Sequence, residues 1–513
     1  MPQWIFILPT GSAAVKGSRS LAMPTHVYRL VAALPPGAAT VLDMPMRYGI
    51  PLDEAGAAKV LAALQADLDA ALVPGQTIVG FSCTASADIV FALPLARWIK
   101  ERYGCPILLG GYAPSTCYEL LLRHYGPWID GVVVGAGELA APAALAALSE
   151  GRLDHQRIPG LAWLRDGALV DNDRLRPPRA CDLPPLDIST LARRESYPYI
   201  AYNASVGCPY TCAFCPERRV HPRYDARPAD LALRDLAGLV QSSGLRYVGF
   251  HDPIFGVQPD TRALLEGINA LGLEYILQTR VDAFDRRWYP LLAQGCRFIF
   301  WGLEGVSVTS LMRMHKAPDA ARYLGAVEDQ MRACFEAGIL PVISLLPNYP
   351  LNTLDDAEAT LRFAEHLREV YERVGGRGGL AFTPFQFRME YGSPSQAELP
   401  QLRAQGLTAR PYFPPEYHGV PLPEELMLVV EDASADLPLA EFRRTARRIQ
   451  ALSVLTPERL ATFSRYYVID LDPFLEGKLP EAHFYTDPAR DVVHAPGLVA
   501  HLGEYTRALM GGK

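Results

Sequence analysis

Three cysteines lie within eight residues, Cys208-Pro209-Tyr210-Thr211-Cys212-Ala213-Phe214-Cys215, with the spacing C-x3-C-x2-C. Thiolates are soft ligands, and three on one loop can hold three irons of a cubane iron–sulfur cluster. The fourth iron then has no protein ligand nearby and is open to an exogenous chelator. Zinc normally takes four protein ligands. No fourth Cys or His lies at a convincing local spacing, although His221 is six residues beyond Cys215. An open-site iron–sulfur cluster is therefore the leading reading, and zinc or a plain structural role the alternative. The other six of the nine cysteines are scattered and read as small buried hydrophobes. In a reducing compartment, clustered cysteines bind metal more often than they form disulfides.

A strand candidate, Tyr199–Asn203, runs into this loop, and five more follow: Tyr247–His251, Tyr275–Gln278, Arg297–Trp301, Pro341–Leu345 and Ala381–Phe387. Helical patterns lie between them at Leu231–Ser242, Thr261–Leu271, Ala320–Ala337 and Leu354–Arg373. Six βα units in series suggest a partial or closed (β/α)6 barrel over residues 196–396. The same rhythm occupies residues 1–150. Strand candidates there are Trp4–Leu8, Ala39–Leu42, Thr77–Ser82, Pro106–Leu109 and Gly131–Val134, with helical patterns at Thr25–Ala33, Asp53–Leu72 and Ala87–Tyr103. This alternation predicts a doubly wound parallel sheet. Ligands of such sheets bind outside the carboxyl ends of the strands. Those ends carry Ser82-Cys83-Thr84, Gly110-Gly111-Tyr112 and Gly135-Ala136-Gly137-Glu138.

Residues 151–195 read as a connector, with a hairpin turn at Asp166-Gly167 and stiffening prolines at Pro177-Pro178 and Pro184-Pro185. Residues 397–513 change rhythm and suggest a third, mainly helical domain. Its helical segment Leu439–Leu452 carries Arg443, Arg444, Arg447 and Arg448, which reads as a solvated face before a site for an acidic substrate. Tyr466-Tyr467 and His483-Phe484-Tyr485 suit a substrate wall or a core equally. The whole is α/β.

The 513 residues carry 49 Lys+Arg against 56 Asp+Glu, a formal charge of −7, and 49% are hydrophobic. These ordinary globular values exclude wholesale disorder, collagen and coiled coil, and the length suggests roughly three domains. The acidic balance argues against a broad nucleic-acid-binding surface. No apolar run approaches the ~18 residues of a membrane span. The short run Trp4–Leu8 has no basic residue before it and does not read as a signal peptide. A cytoplasmic protein with no membrane or nucleic-acid partner is expected.

The cysteine loop, with the aromatic Phe214 before its third Cys, resembles that of radical S-adenosylmethionine (SAM) enzymes. The resemblance implies that Cys208, Cys212 and Cys215 ligate a 4Fe-4S cluster whose fourth iron is chelated by the amino and carboxylate groups of SAM. It also implies an external one-electron reductant and cleavage of SAM to a 5′-deoxyadenosyl radical, which takes hydrogen from an unactivated carbon. That chemistry belongs to the cofactor; the protein supplies position and excludes solvent. In the family, the end of the second barrel strand binds the SAM amine. Here it reads Phe250-His251-Asp252-Pro253 where Gly-Gly-Glu is commoner. Gly302-Leu303-Glu304-Gly305-Val306-Ser307 is similar to the family's Gly-Ile-Glu-Ser-Gly-Ser. Phe214, Asp252, Gln278, Arg280 and Glu304 thereby become candidate SAM contacts. Arg280 suits the SAM carboxylate, and Glu304 reads alternatively as a structural ion pair. Leu345-Leu346-Pro347-Asn348 and Gly392-Ser393-Pro394 are similar to later family loops and read as pocket walls or plain turns.

The order of doubly wound sheet, connector with Leu183-Pro184-Pro185-Leu186-Asp187, then cysteine loop resembles cobalamin-binding radical SAM enzymes over residues 1–396. In these proteins the corrin lies on the carboxyl ends of the Rossmann-like strands and its dimethylbenzimidazole tail runs into the sheet. The resemblance makes Ser82, Thr84, Gly110, Gly111, Tyr112, Gly135 and Glu138 candidate cobalamin contacts. Many such domains carry Asp-x-His-x-x-Gly after the first strand, its His ligating cobalt. The loop Pro9–Gly17 has no His, so a cobalamin without a histidine ligand on its lower face is expected.

The function implied first is methyl transfer to a carbon of a peptide or other small-molecule natural product, using one SAM as methyl donor by way of methylcobalamin and another as radical source. A polar variant omits hydrogen abstraction. The alternative is a non-methylating rearrangement, ring contraction or cyclisation with the same cofactors. A non-catalytic corrinoid or electron carrier fits poorly, because electron carriers usually hold all four irons. No catalytic side chain is assigned from the sequence.

Overall fold

The computed structural model describes residues 2–9, 22–48, 54–172, 179–191 and 194–455. The chain divides into two compact units: residues 1–194 with 219–221 and 413–427, and residues 195–218, 222–412 and 428–513.

The first unit is built on a seven-stranded sheet. Its strands are β1 (Gln3–Leu8), β2 (Ala39–Asp43), β3 (Thr77–Ser82), β4 (Ile107–Gly110), β5 (Gly131–Val133), β6 (Leu161–Arg165) and β7 (Ala168–Asp171), in the order β2-β1-β3-β4-β5-β6-β7. The first five are parallel. They are continuous apolar runs because helices cover a parallel sheet on both faces. Ile7, Ile78, Val79, Ile107 and Leu109 have no exposed surface. Trp4 and Phe6 stack at 4.9 Å, and a Cβ on Gly80 would lie 2.9 Å from the Trp4 ring. The strand order reverses at β1, so a topological switch point lies between β1 and β3.

Residues 161–171, read above as connector, extend the sheet as antiparallel strands. The Asp166-Gly167 turn supplies the two positive φ values, 50° and 79°, that a tight hairpin needs. Leu161 and Trp163 thereby join the core. The segment 413–427 belongs with this unit through hydrogen bonds of Arg97 Nη1 to the Gly419 carbonyl (3.2 Å) and of the Tyr125 hydroxyl to the Pro421 carbonyl (2.7 Å).

The second unit holds six parallel strands: β8 (Ile200–Tyr202), β11 (Tyr247–Phe250), β12 (Glu274–Thr279), β13 (Cys296–Glu304), β14 (Leu340–Leu345) and β15 (Ala381–Pro384). Each pairs with its successor in this series, and β8 and β15 are the two edges, which is the partial barrel expected. Between β8 and β11, a small hairpin joins β9 (Ser205–Val206) to β10 (Asp225–Ala226). Register places Ala201, Gly249, Gln278, Phe300 and Gly302 on one face of the sheet. On the opposite face Trp301 meets Phe284, and Tyr202 donates to Asp235 of helix Ala229–Ser243 at 3.0 Å. Asp235 also pairs with Arg227, both fully desolvated (2.8 Å).

Beyond residue 396 the described part is mixed rather than mainly helical. β17 (Ala409–Pro411) and β20 (Met427–Val430) join β16 (Arg388–Glu390), which precedes that boundary, in a three-stranded sheet, and β18 (Glu416–Tyr417) pairs with β19 (Val420–Pro421). The prolines that interrupt helices here are tolerated in short edge strands. Helix Leu439–Ala451 is present. It buries Phe442, Ala446 and Ile449, and leaves Arg444, Arg447 and Arg448 in solvent. Tyr466-Tyr467 and His483-Phe484-Tyr485 lie outside the described residues.

Candidate functional site

The cysteine loop is a closed excursion from the carboxyl end of β8. Pairing of β9 with β10 brings Ser205–Val206 against Asp225–Ala226 and pins the loop's two ends together. Gly207 opens it with φ +73°, and a Cβ there would sit 2.1 Å from the Arg223 carbonyl oxygen, so only glycine fits. Inside the loop, the Cys215 amide donates to the Cys212 carbonyl (3.1 Å). The Ala213 amide donates to Met314 (2.9 Å), and its carbonyl accepts from Ser395 (2.8 Å). Two distant segments thus fix the middle of the loop.

All three thiols are free and partly buried. Burial pushes the Cys208 thiol up and the Cys215 thiol up to about 12, with Cys212 adding to both. Iron must displace these protons, so loading is favoured by higher pH. Among the described residues no three His, Cys, Asp or Glu side chains are grouped as one metal ion requires. A cubane needs no such convergence, because each thiolate takes a different iron. The donor set, three thiolates on one short loop, fits a 4Fe-4S cluster.

The candidate SAM contacts surround this loop, several of them already engaged. Asp252 is fully buried. Its carboxylate accepts from the Ser205 hydroxyl (2.6 Å) and the Ala204 amide (3.2 Å), tying β11 to the loop's entrance. Burial raises its pKa to about 7 against the lowering effect of those bonds. Gln278 donates to the Asp252 carbonyl (2.8 Å). Arg280 is held by both carboxylate oxygens of Asp282 at 2.9 Å. Glu304 sits at a break in the β13–β14 register with φ +61°, and pairs with Lys316 at 2.6 Å, both nearly inaccessible. Phe214 packs edge-on against Tyr349, and Lys316 Nζ lies 5.7 Å from its ring centroid. The two later loops serve as turns. Asn348 accepts from the Phe387 amide (2.8 Å), and Ser393 caps helix Pro394–Ala397.

Sequence reasoning missed Asp282, Met314 and Lys316. Asp282, two residues beyond Arg280, was the one findable signal. It also assigned no role to His251, whose imidazole meets the Tyr199 hydroxyl at 3.3 Å. His251 is exposed, and desolvation by the surrounding protein lowers its pKa to about 4.

At the strand ends of the first unit, the Thr84 amide and hydroxyl both donate to Asp88 at the start of helix Ser86–Tyr103. Gly111 adopts φ +99°, and a Cβ there would lie 2.5 Å from the Cys83 carbonyl oxygen. Its need for glycine is met by packing within the sheet. Gly110 and Gly135 are open: nothing lies within 3.8 Å and 3.6 Å of a Cβ there. The Ser115 hydroxyl, also missed, donates to the Gly111 carbonyl (2.7 Å) and accepts from the Gly135 amide (3.1 Å), joining two strand ends. Glu138 is held above the usual carboxylate range by burial, opposed by Arg29 and His221. Tyr112 begins helix Tyr112–Tyr125, and Ser82 ends β3 half-buried. These open glycines at the carboxyl ends of β4 and β5 fit a flat ligand approached by backbone. Residues 10–17 of the loop lacking His lie outside the described residues.

A parallel barrel with a three-cysteine loop after its first strand is the arrangement that the resemblance to radical SAM enzymes implies. Residues 202–364 match the family model described as Radical SAM superfamily. Such domains use a 4Fe-4S cluster and SAM. An uncharacterized methyltransferase of Pyrococcus horikoshii is 26% identical over 56% of this chain and 64% of its own length. The hopanoid C-3 methylase of Methylococcus capsulatus is 27% identical over 49% and 50%. The chain thus spans under two thirds of either relative. Among solved structures, the radical SAM methyltransferase TsrM from Kitasatospora setae, with tryptophan and a SAM analogue bound, aligns at TM-score 0.66 and 19% identity, covering 89% of this chain and 90% of TsrM. It is also solved with cobalamin and a [4Fe-4S] cluster. OxsB, a cobalamin-dependent SAM radical enzyme, aligns at TM-score 0.60 and 13% identity over 99% and 80%. The resemblance to cobalamin-dependent radical SAM enzymes is borne out, and the chain shares their fold. Among the described residues no helix is long and apolar enough to cross a membrane.

Proposed function

We propose that this protein is a cobalamin-dependent radical SAM methyltransferase acting on a carbon of a peptide or other small natural product. The observation that carries the reading is the cysteine loop, pinned at both ends and at Ala213 on the carboxyl end of a parallel barrel, with three thiolates and no fourth. The methyltransferases among the relatives and the fold shared with TsrM and OxsB support it. When bound, the cluster supplies the electron that splits SAM, and cobalamin carries the methyl group toward the substrate.

The chain's own residues hold and shield. Cys208, Cys212 and Cys215 hold three irons. Asp252 and the β9–β10 pair fix the loop's approach. Gln278 orients the carbonyl of Asp252, and the Lys316–Glu304 pair closes the end of β13. Gly110 and Gly135 leave room for a corrin at the strand ends of the first unit. An external one-electron reductant and a cytoplasmic setting belong to the same reading.

Anaerobic reconstitution with iron, sulfide and hydroxocobalamin, followed by removal of unbound cofactor, tests this. About four irons per chain with about one cobalt is the expected result. Iron without cobalt would leave a radical SAM enzyme whose first unit binds something else.

A further inference from the structure

The guanidinium of Arg280, at the carboxyl end of β12, has almost no accessible surface: the residue is 6% exposed. Four of its five N–H donors are accounted for. Nε and Nη2 grip the two oxygens of Asp282, each at 2.9 Å. Nη2 also donates to the Lys316 carbonyl (2.5 Å), and Nη1 to the sulfur of Cys212 (3.3 Å). The plane lies over Tyr210, with Cζ 3.8 Å from the ring centroid. Tyr210 belongs to the cysteine loop itself, so Arg280 meets that loop twice, by stacking and by a hydrogen bond to a thiol.

A carboxylate is gripped best by two parallel N–H groups. Of the two edges of this fork, one is filled by Asp282. The other is divided between the Lys316 carbonyl and Cys212. No edge remains for the carboxylate of SAM, the role the sequence suggested. What Arg280 offers is a positive charge and an N–H aimed at one cluster ligand. Reduction adds a negative charge that spreads onto the sulfurs. A donor at a thiolate stabilises the reduced form and raises the potential.

We infer that Arg280 is a positioning residue of the cysteine loop, anchored by Asp282, which raises the reduction potential of the cluster through the Cys212 sulfur and does not bind SAM. This rests on the cluster reading above. Lys316 extends the arrangement. Its carbonyl receives Arg280 and its ammonium reaches Glu304, while Met314, two residues earlier, receives the Ala213 amide. The segment 314–316 thus braces the cysteine loop against the end of β13.

The test uses the full chain, reconstituted without oxygen, as wild type, Arg280→Gln and Arg280→Lys. Iron per chain, the midpoint potential from a titration followed by electron paramagnetic resonance, and the change in the reduced-cluster signal on adding SAM are measured. Arg280→Gln should keep its iron. At the wild-type midpoint its ratio of reduced to oxidised cluster should fall about tenfold, the worth of a hydrogen bond to a charged group. Its affinity for SAM should stay within about threefold. Arg280→Lys keeps the charge but cannot hold Asp282 and Cys212 together, so its potential should fall by less. Unchanged potential in an iron-loaded Arg280→Gln overturns the inference. Loss of SAM affinity at unchanged potential does so too, by restoring the carboxylate role. Loss of iron in both variants reduces Arg280 to a structural prop and also overturns it. A wild type that takes no iron sinks the underlying cluster reading instead.

Discussion

Asp252 shows how one side chain can matter to the site without touching a cofactor. Its carboxyl is buried, with a pKa raised to about 7 chiefly by desolvation. The unfolded chain titrates near 4, so between these values the folded protein holds a proton that the unfolded chain has lost. The stabilisation tied to that proton is present below the unfolded pKa and fades as pH rises through the folded one, by at most about 4 kcal/mol. Asp252→Asn removes the titration. Its melting temperature relative to wild type should climb between about pH 4 and pH 7 and level off above, and a flat difference across that window would contradict the assignment. Cys212→Ala acts on the cofactor directly. It should lose bound iron and all reductive SAM cleavage while keeping cobalt, as metal analysis and a 5′-deoxyadenosine assay would show. At this scale the sequence was informative where chemistry is local. Three thiols in eight residues declare themselves. Lys316 and Ser115 do not, because their partners Glu304 and Gly135 are brought to them only by folding.

Among the elements, the strands were readable because a parallel sheet buried on both faces leaves nearly pure apolar runs. β3 and helices Ala320–Ala337 and Leu354–Arg373 begin and end where periodicity places them. The β9–β10 hairpin was not readable, being two residues per strand and defined by pairing alone. β6 and β7 were half seen: the Asp166-Gly167 turn was evident, but membership of the sheet depends on β5, about thirty residues earlier. The glycines at the ends of β4 and β5 are where the structure changes an expectation most. Gly111 looked like room for a ligand, so a bulky residue there should block cobalamin and nothing else. Its φ of +99° and the Cys83 carbonyl 2.5 Å from a would-be Cβ make it part of the sheet's own packing. Gly111→Ala should therefore destabilise the first unit by roughly 1–3 kcal/mol, seen as a lower melting transition without any cofactor. Gly110→Ala meets only ordinary contacts and should melt like wild type. Cobalt retention in Gly110→Ala then reports on the ligand: a loss places the corrin at this strand end, and full retention moves it elsewhere.

The whole molecule consists of two α/β units, each built on its own sheet, and in the proposed function each sheet offers its strand ends to a different cofactor. The first unit packs Trp4, Phe6, Ile78 and Leu161 into one core; the second assembles Met314, Tyr349, Phe387 and Phe442 into another. Among the described residues neither of these two cores includes residues of the other unit, so iron and cobalt should load independently: omitting hydroxocobalamin should leave the iron content unchanged, and Cys212→Ala should bind cobalt normally. The catalytic outcome, by contrast, needs both cofactors. With SAM labelled in its methyl group and a low-potential reductant, a methylating enzyme transfers the label to a carbon and releases S-adenosylhomocysteine in step with product. If hydrogen abstraction accompanies transfer, 5′-deoxyadenosine accumulates equally, two SAM being consumed per methyl moved. If the transfer is polar, S-adenosylhomocysteine appears with product and 5′-deoxyadenosine does not. A product of unchanged mass formed with 5′-deoxyadenosine alone would assign the protein to rearrangement or cyclisation and end the methyltransferase reading, while both cofactor sites would stand.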